Sequence, residues 1–329
     1  MVDLTTIHAS NASLPTHLTA VFVGGTSGIG LYTLLALARR CKVPNIYFIG
    51  RSQQAADRIL ADPHTLNPNG TYTFIPSDVS LIKNVDAVCA QIAARESHIN
   101  ILCLSQGTMS VGQETSEGMH LIASLILHSR IRFTVNLLPL LRAAPGTKRV
   151  VSIFTGTKEG PLTAPELQMR TVKSPLKARG QAASAVTLLL EEMGRRAPEV
   201  GFVHTYPGFV SSNIGRDFGV VVKGLGWVLE RTVGKWLYIP VEESGERNLW
   251  LCTSGRFAGA AAGEEKGVEV AVGTDGRAGS GVYTIDEKGE SGCEAVLQVL
   301  RDMRVQKRDV WAWEEVRKEF LRITGKESM

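Results

Sequence analysis

Short, wholly apolar runs alternate along this chain with amphipathic stretches. LTAVFVGG (18–25), NIYFIG (45–50), YTFIPSD (72–78), INILCLSQG (99–107), KRVVSIFTG (148–156) and VGFVHTYPG (200–208) each end in glycine, proline or a polar turn. Runs of that length and punctuation read as buried strands. Between them, IGLYTLLALARR (29–40), DAVCAQIAAR (86–95), a long segment from about Met119 to Leu141, and AASAVTLLLEEMGRR (182–196) show helical spacing. The first of these helices ends on two arginines, which the negative end of a helix dipole favours. Strands apolar on both faces, alternating with helices, predict an α/β fold with a parallel sheet covered on both sides.

No internal repeat and no linker divides the pattern, so one domain is expected over 18–329, with a polar N-terminal arm over 1–17. Residues 255–329 form a C-terminal extension. Within it, the glycine-rich GTDGRAGSG (273–281) lacks strand–helix context and reads as a surface connection. The segment 216–239 is apolar, but Lys223, Glu230, Arg231 and Lys235 interrupt it, which argues against a membrane span. We read it as a substrate lid rather than a membrane-surface helix, because it follows a strand end where such sheets bind ligands.

Charge and cysteine usage narrow the classes. The net charge is +4 and the basic residues are dispersed, so no nucleic-acid partner is expected. The five cysteines are far apart and form no CxxC pair, so neither a metal nor a disulfide framework is expected. Cys103 sits in an apolar run, as a core thiol does. No basic head and apolar core open the chain, so we expect a cytoplasmic protein and read the sequons at Asn11 and Asn69 as chance matches.

The chemistry begins at VFVGGTSGIG. Gly24, Gly28 and Gly30 fall between the first strand and the first helix of the alternating pattern, with Thr26, Ser27 and Ile29 among them. Glycine permits a tight turn and close approach of a pyrophosphate, and the helix N-terminus supplies free N–H groups. After the second strand stand Arg51 and Ser52, with no acid nearby. A guanidinium there suits the 2′-phosphate of NADP(H), whereas an acid would hold the ribose of NAD; an exposed surface arginine is the plain alternative. Asp78 and Val79 follow the third strand. Asp78 is placed either to meet an adenine amine or to cap the next helix.

These residues resemble the short-chain dehydrogenase/reductase (SDR) family over about 18–214, through GGTSGIG, SDV, RVVSIFTG and YPGFVSSNI in order. A narrower resemblance, in FVHTYPGFV, SGVYTIDEKGE and the tryptophan-bearing last helix, is to reductase-like proteins of fungal secondary metabolism. The resemblance implies a single-domain Rossmann fold, a doubly wound parallel sheet with NAD(P) at its C-terminal edge, and an Asn, Ser, Tyr, Lys catalytic set. The family serine falls on Thr155. The asparagine falls near Ile126, and Asn136 is too far around the helix to replace it. The tyrosine and lysine fall within KSPLKARGQAASA (173–185), which holds neither pattern, and no tyrosine lies between Tyr72 and Tyr206. The family's turn after strand four is LSQG here, ending at Gly107. Pro207 and Gly208 match the turn after strand six, and Ser212 falls where a hydroxyl often holds the nicotinamide amide. Family members often pair through their fourth and fifth helices, which makes a homodimer a state to test.

Hydride transfer to a ketone requires a proton for the nascent alkoxide, and a threonine hydroxyl is too weak an acid to supply it. Lys177, Arg179 and Tyr206 are the nearest replacements along the chain, with His204 on the same strand face as Tyr206. Each of the four also has a plain reading as a solvated or packing residue. The expected function is NADP(H)-dependent oxidation or reduction of a small hydrophobic natural product. Two other readings stand beside it: a non-redox isomerase, cyclase or dehydratase, and a catalytically inactive binding subunit.

Overall fold

The computed structural model describes residues 2–62, 66–163, 165–168, 170–171, 174–210, 238–263 and 267–328. Seven strands form one parallel sheet in the order β3-β2-β1-β4-β5-β6-β7. They are β1 (His17–Val23), β2 (Val43–Gly50), β3 (Thr71–Pro76), β4 (Ile101–Leu104), β5 (Arg149–Ile153), β6 (Gly201–Thr205) and β7 (Val282–Ile285). The order reverses between β1 and β4, which opens a crevice at the C-terminal edge of the sheet, where ligands bind in such folds.

The helices among the described residues are α1 (Leu4–Ala12), α2 (Gly28–Arg40), α3 (Gln53–Ala61), α4 (Ile82–Ala93), α5 (Leu121–Ala143), α6 (Pro175–Arg196), α7 (Val241–Thr253), α8 (Glu294–Val305) and α9 (Arg308–Thr324). One apolar layer packs α4, α5, α6 and α9 on one sheet face, and a second packs α1, α2 and α7 on the other. The expected N-terminal arm is the helix α1. Its Ile7 is fully buried, and its Asn11 donates to the Glu246 carboxylate on α7 at 2.8 Å. The expected surface connection 273–281 leads directly into β7, and Cys103 is buried in the core.

Among the described residues α5 is apolar and long enough to cross a membrane, but 72% of its apolar window is buried inside the fold. It is the core helix beneath the sheet. Its segment Ser124–His128 is a π-helix. A π turn leaves a carbonyl unmatched, and here the His128 ring meets the Ala123 carbonyl through Nδ1 at 3.2 Å.

The C-terminal helices close the α6 side. Arg132 of α5 is fully buried, pairs with Asp86 at 2.6 and 2.7 Å, and stacks on Phe320 of α9. Trp313 of α9 stacks on Arg196 of α6, and Glu191 of α6 pairs with Arg304 of α8. Asn136 is spent on the same cluster, donating to Asp86 at 2.8 Å.

Burial holds His128 down to about 4, so folding excludes its imidazolium. The unfolded chain takes up that proton near pH 6.5. The contribution of His128 is therefore complete above pH 6.5 and is lost as the pH falls toward 4, the loss reaching roughly 2 kcal/mol by pH 5. The urea midpoint should fall between pH 7.5 and pH 5, and fall less in His128→Gln. An equal fall in the variant would contradict this assignment.

Candidate active site

The glycine loop is built by packing as well as by any ligand. Gly24 has φ +83°, and a Cβ there would lie 2.8 Å from Ser105 Oγ and 2.9 Å from the Gln106 nitrogen. A Cβ on Gly30 would lie 2.2 Å from Ser105 Oγ and 2.7 Å from the Gly24 carbonyl. Ser105 thus seats the loop, donating to the Val23 carbonyl at 3.0 Å. Gly28, with φ +59°, opens α2. Ser27 precedes it without a side-chain cap, and no acidic residue stands in the first turn. The first N–H groups of α2 therefore stay open to an anion. Ile29 is half-buried behind them. Thr26 leans on the end of β2, where a Cβ on Gly50 would meet its Oγ1 at 2.6 Å.

Arg51 is exposed directly after β2. Ser52 is the N-cap of α3, accepting from the Ala55 N–H at 3.2 Å. Asp78 makes a local turn, accepting from the Ser80 N–H at 3.0 Å, and Val79 is buried beside it. Asp78 does not cap the following helix. That helix, α4, is capped from a distance by Glu117, which accepts from the Ile82 and Lys83 N–H groups at 2.6 and 3.1 Å.

At the nicotinamide end of the crevice, Gly107 faces Ile126 of the π turn; a Cβ there would lie 3.9 Å from Ile126 Cγ2. An apolar side chain thus stands where the resemblance puts asparagine. Arg130, one turn on, is buried without a carboxylate. It donates to the Gln106 and Ile153 carbonyls at 2.6 and 2.9 Å and to Ser152 Oγ at 2.8 Å, so it ties the ends of β4 and β5 together. Burial pulls it down to about 9, still protonated at neutral pH.

Thr155 follows β5, buried, and its hydroxyl has no hydrogen-bond partner. A buried orphan hydroxyl is costly unless a ligand or water meets it. Its backbone N–H donates to His204 Nε2 at 3.2 Å, so the ring proton sits on Nδ1, facing Thr187 Oγ1 at 2.8 Å. Thr187 and Thr284 both donate to Glu159 Oε1 at 2.7 Å, and Thr284 accepts the Thr157 N–H at 2.6 Å. Burial keeps His204 neutral. Burial alone would raise Glu159, but the neighbouring His204 ring, 3.7 Å away, and the hydrogen bonds from Thr284 and Thr187 outweigh that and hold it below the usual carboxylate range. The network fixes the turn Thr155–Thr157, in which Thr157 has φ +62°, a strained value for a β-branched residue.

Ile153 pairs with Thr205 across β5 and β6, so Thr155 and Tyr206 lie just beyond on neighbouring strands. Lys158 Nζ sits 4.9 Å from the centre of the Tyr206 ring, and the Arg179 guanidinium of α6 sits 5.1 Å from it. Of the residues expected from the sequence, Arg179 and Tyr206 are thus brought into contact, with Thr155 at the end of the neighbouring strand. Lys177 stays exposed in the first turn of α6. His204 is a support under Thr155, not a group facing the crevice. Lys158, Arg130, Glu159 and Ser105 were not singled out in the sequence. Pro207 and Gly208 (φ +75°) make the turn after β6. Ser212 and residues 216–237 of the expected lid lie outside the described residues; at the segment's end, the Ile239 N–H donates to the Phe209 carbonyl at 2.8 Å.

Comparison with known proteins agrees with this fold. The chain is 37% identical to "Oxidoreductase AN1596" of Emericella nidulans, over 95% of this chain and 96% of that protein. It is 30% identical to "Oxidoreductase andH" of Emericella variicolor over 99% and 98%. A third relative, 27% identical over 88% and 89%, is "Short-chain dehydrogenase/reductase SAT2" of Stachybotrys chartarum. The chain belongs to the short-chain dehydrogenase/reductase family. It is an oxidoreductase of SDR type. No family model matches it. Among solved structures, L-sorbose reductase from Gluconobacter frateurii, complexed with NADPH and L-sorbose, shares the SDR fold at TM-score 0.54 and 18% identity, over 73% of this chain and 90% of that one. A 3-oxoacyl (acyl-carrier-protein) reductase from Agrobacterium tumefaciens with NADP bound does so at TM-score 0.54 and 21% identity, over 77% and 92%.

Proposed function

We propose that this SDR protein is an NADP(H)-dependent oxidoreductase interconverting a carbonyl and a hydroxyl on a hydrophobic natural product in fungal secondary metabolism. The observation that carries this is the orphan hydroxyl of Thr155 after β5, on the strand next to the one that ends at Tyr206 and at the sheet edge that also carries the glycine loop. The residues fit the cofactor: an uncapped α2 N-terminus for the pyrophosphate and Arg51, without a nearby acid, for the 2′-phosphate. When bound, NADPH supplies the hydride.

The chain's residues do the rest. Thr155 donates a hydrogen bond to the substrate carbonyl oxygen, held in place through His204 and Glu159. Tyr206 transfers its phenolic proton to that oxygen, so that hydride and proton together convert carbonyl to hydroxyl. Lys158 and Arg179 hold the ring in place from above through cation–π contacts. The half-buried ring regains a proton from solvent. Exposed apolar side chains at this edge (Met109, Val111, Leu176 and Phe209) suit a hydrophobic substrate.

All five cysteines are free, which suits a reducing compartment such as the cytoplasm. The resemblance pairs subunits through helices that correspond to α5 and α6. Here α9 takes part of that face, so we place any homodimer contact elsewhere.

Fluorescence titration with NADPH and NADH tests the reading. NADPH should bind more tightly, and Arg51→Ala should weaken NADPH about 10- to 100-fold while changing NADH little, since one charge-assisted pairing contributes about 1.5–3 kcal/mol. Equal losses for both dinucleotides would remove Arg51 from the site. Binding of neither would remove the cofactor.

A further inference from the structure

Two cations converge on the Tyr206 ring, and among the described residues no carboxylate pairs directly with either; Glu287, beyond β7, packs against Gly208. Among the described residues neither Lys158 nor Arg179 forms an ion pair, and Arg179 Nε is buried with no hydrogen-bond partner. Glu159, next to Lys158 in the chain, turns inward to Thr187 and Thr284. Glu114 and Glu166 share Arg170 and pair with neither Lys158 nor Arg179. Both charges lie near one ring, within about 10 Å of each other, a Debye length at ordinary ionic strength.

The helix adds to the imbalance. Lys177 stands in the first turn of α6 and Arg179 just after it, with no acidic residue in that turn. The positive end of a helix dipole disfavours cations, so Lys177 and Arg179 add to the positive potential that the helix end already carries. Around it the surface is apolar. Leu176 is 75% exposed in the first turn of α6, Phe209 57% exposed after β6, and Val111 78% and Met109 48% exposed after β4. Cations without counter-ions beside exposed apolar side chains suit an amphiphile that brings its own negative charge.

We infer that the substrate is a lipophilic carboxylic acid carrying the reacting carbonyl, its carboxylate held by Lys158 and Arg179. This rests on the oxidoreductase reading for the carbonyl, but the anion site stands on the charges alone. Its apolar body lies against Leu176, Phe209, Met109 and Val111.

The test uses 4-oxododecanoate and its methyl ester, which differ in one charge. Their binding to the full chain is read by tryptophan fluorescence, with and without NADPH, at low and high salt. The acid should bind at least tenfold more tightly than the ester, and salt should narrow the gap. The preference should fall toward unity in Lys158→Gln and in Arg179→Gln, each checked for native circular dichroism. Equal binding of acid and ester, binding of neither, or an unchanged preference in both variants overturns the inference. Failure of the oxidoreductase reading shows separately, as binding of the acid without oxidation of NADPH.

Discussion

Tyr206→Phe should lower kcat for NADPH-dependent carbonyl reduction by about 10²–10⁴-fold, the range that a positioned general acid contributes. The substitution removes one oxygen and keeps the ring on which Lys158 and Arg179 stack, so cofactor and substrate affinity should change little. Loss confined to kcat marks a group that acts in the transition state rather than in uniform binding. Thr155→Ala should also lower kcat, but by less, since the proton donor remains. Steady-state kinetics with each variant, beside NADPH titration, separates these effects. Full activity in Tyr206→Phe would return the donor's role to another group.

The second large effect lies in the glycine loop. In Gly30→Ala the new methyl would overlap Ser105 Oγ and crowd the Gly24 carbonyl, at 2.2 and 2.7 Å. Ser105 can rotate, but the carbonyl belongs to the turn itself, so the loop must move. Overpacking of this kind costs about 1–3 kcal/mol, and the displaced turn no longer presents the α2 N–H groups to a pyrophosphate. NADPH affinity should fall at least tenfold, with a lower melting temperature. Gly263→Ala is the internal control, because its methyl would meet nothing within 4 Å and the position is no part of the glycine loop. Equal NADPH affinity in Gly30→Ala and the native chain would show that the loop does not hold the cofactor.

Local signals were legible in the sequence and tertiary ones were not. The first six strands could be read because a parallel sheet buries both faces of each strand, leaving continuous apolar runs. The seventh, VYTI, is four residues long and too short to stand out by pattern. Helix α6 begins seven residues before the apolar spacing at Ala182 suggests. Its first two turns are polar, and its start is marked by the Ser174 cap and Pro175 at the first turn. Helix α1 escaped because Ile7 and Asn11 are its only buried residues.

The site divides in the same way. The glycine loop is a contiguous motif between a strand and a helix, so Gly24, Gly28 and Gly30 were readable. Thr155, Arg179 and Tyr206 were found by counting along family landmarks. Lys158 was missed, because its link to Tyr206 spans 48 positions and two elements, α6 and β6, and leaves no periodic trace. The support of Thr155 by His204, Thr187, Glu159 and Thr284 joins two strands, a helix and a loop. Only a folded chain shows that His204 lies behind the reacting group instead of facing it.

The central claim is hydride transfer from NADPH, with the proton supplied at Tyr206. Its most direct test is to incubate the native chain and Tyr206→Phe with 4-deuterated NADPH and a panel of lipophilic oxo acids, and to follow the label by mass spectrometry. The account predicts one deuterium on the new carbinol carbon of at least one product, with one NADPH oxidised per product and little label in Tyr206→Phe. Product formed without NADPH, or label transferred equally well by Tyr206→Phe, would contradict it.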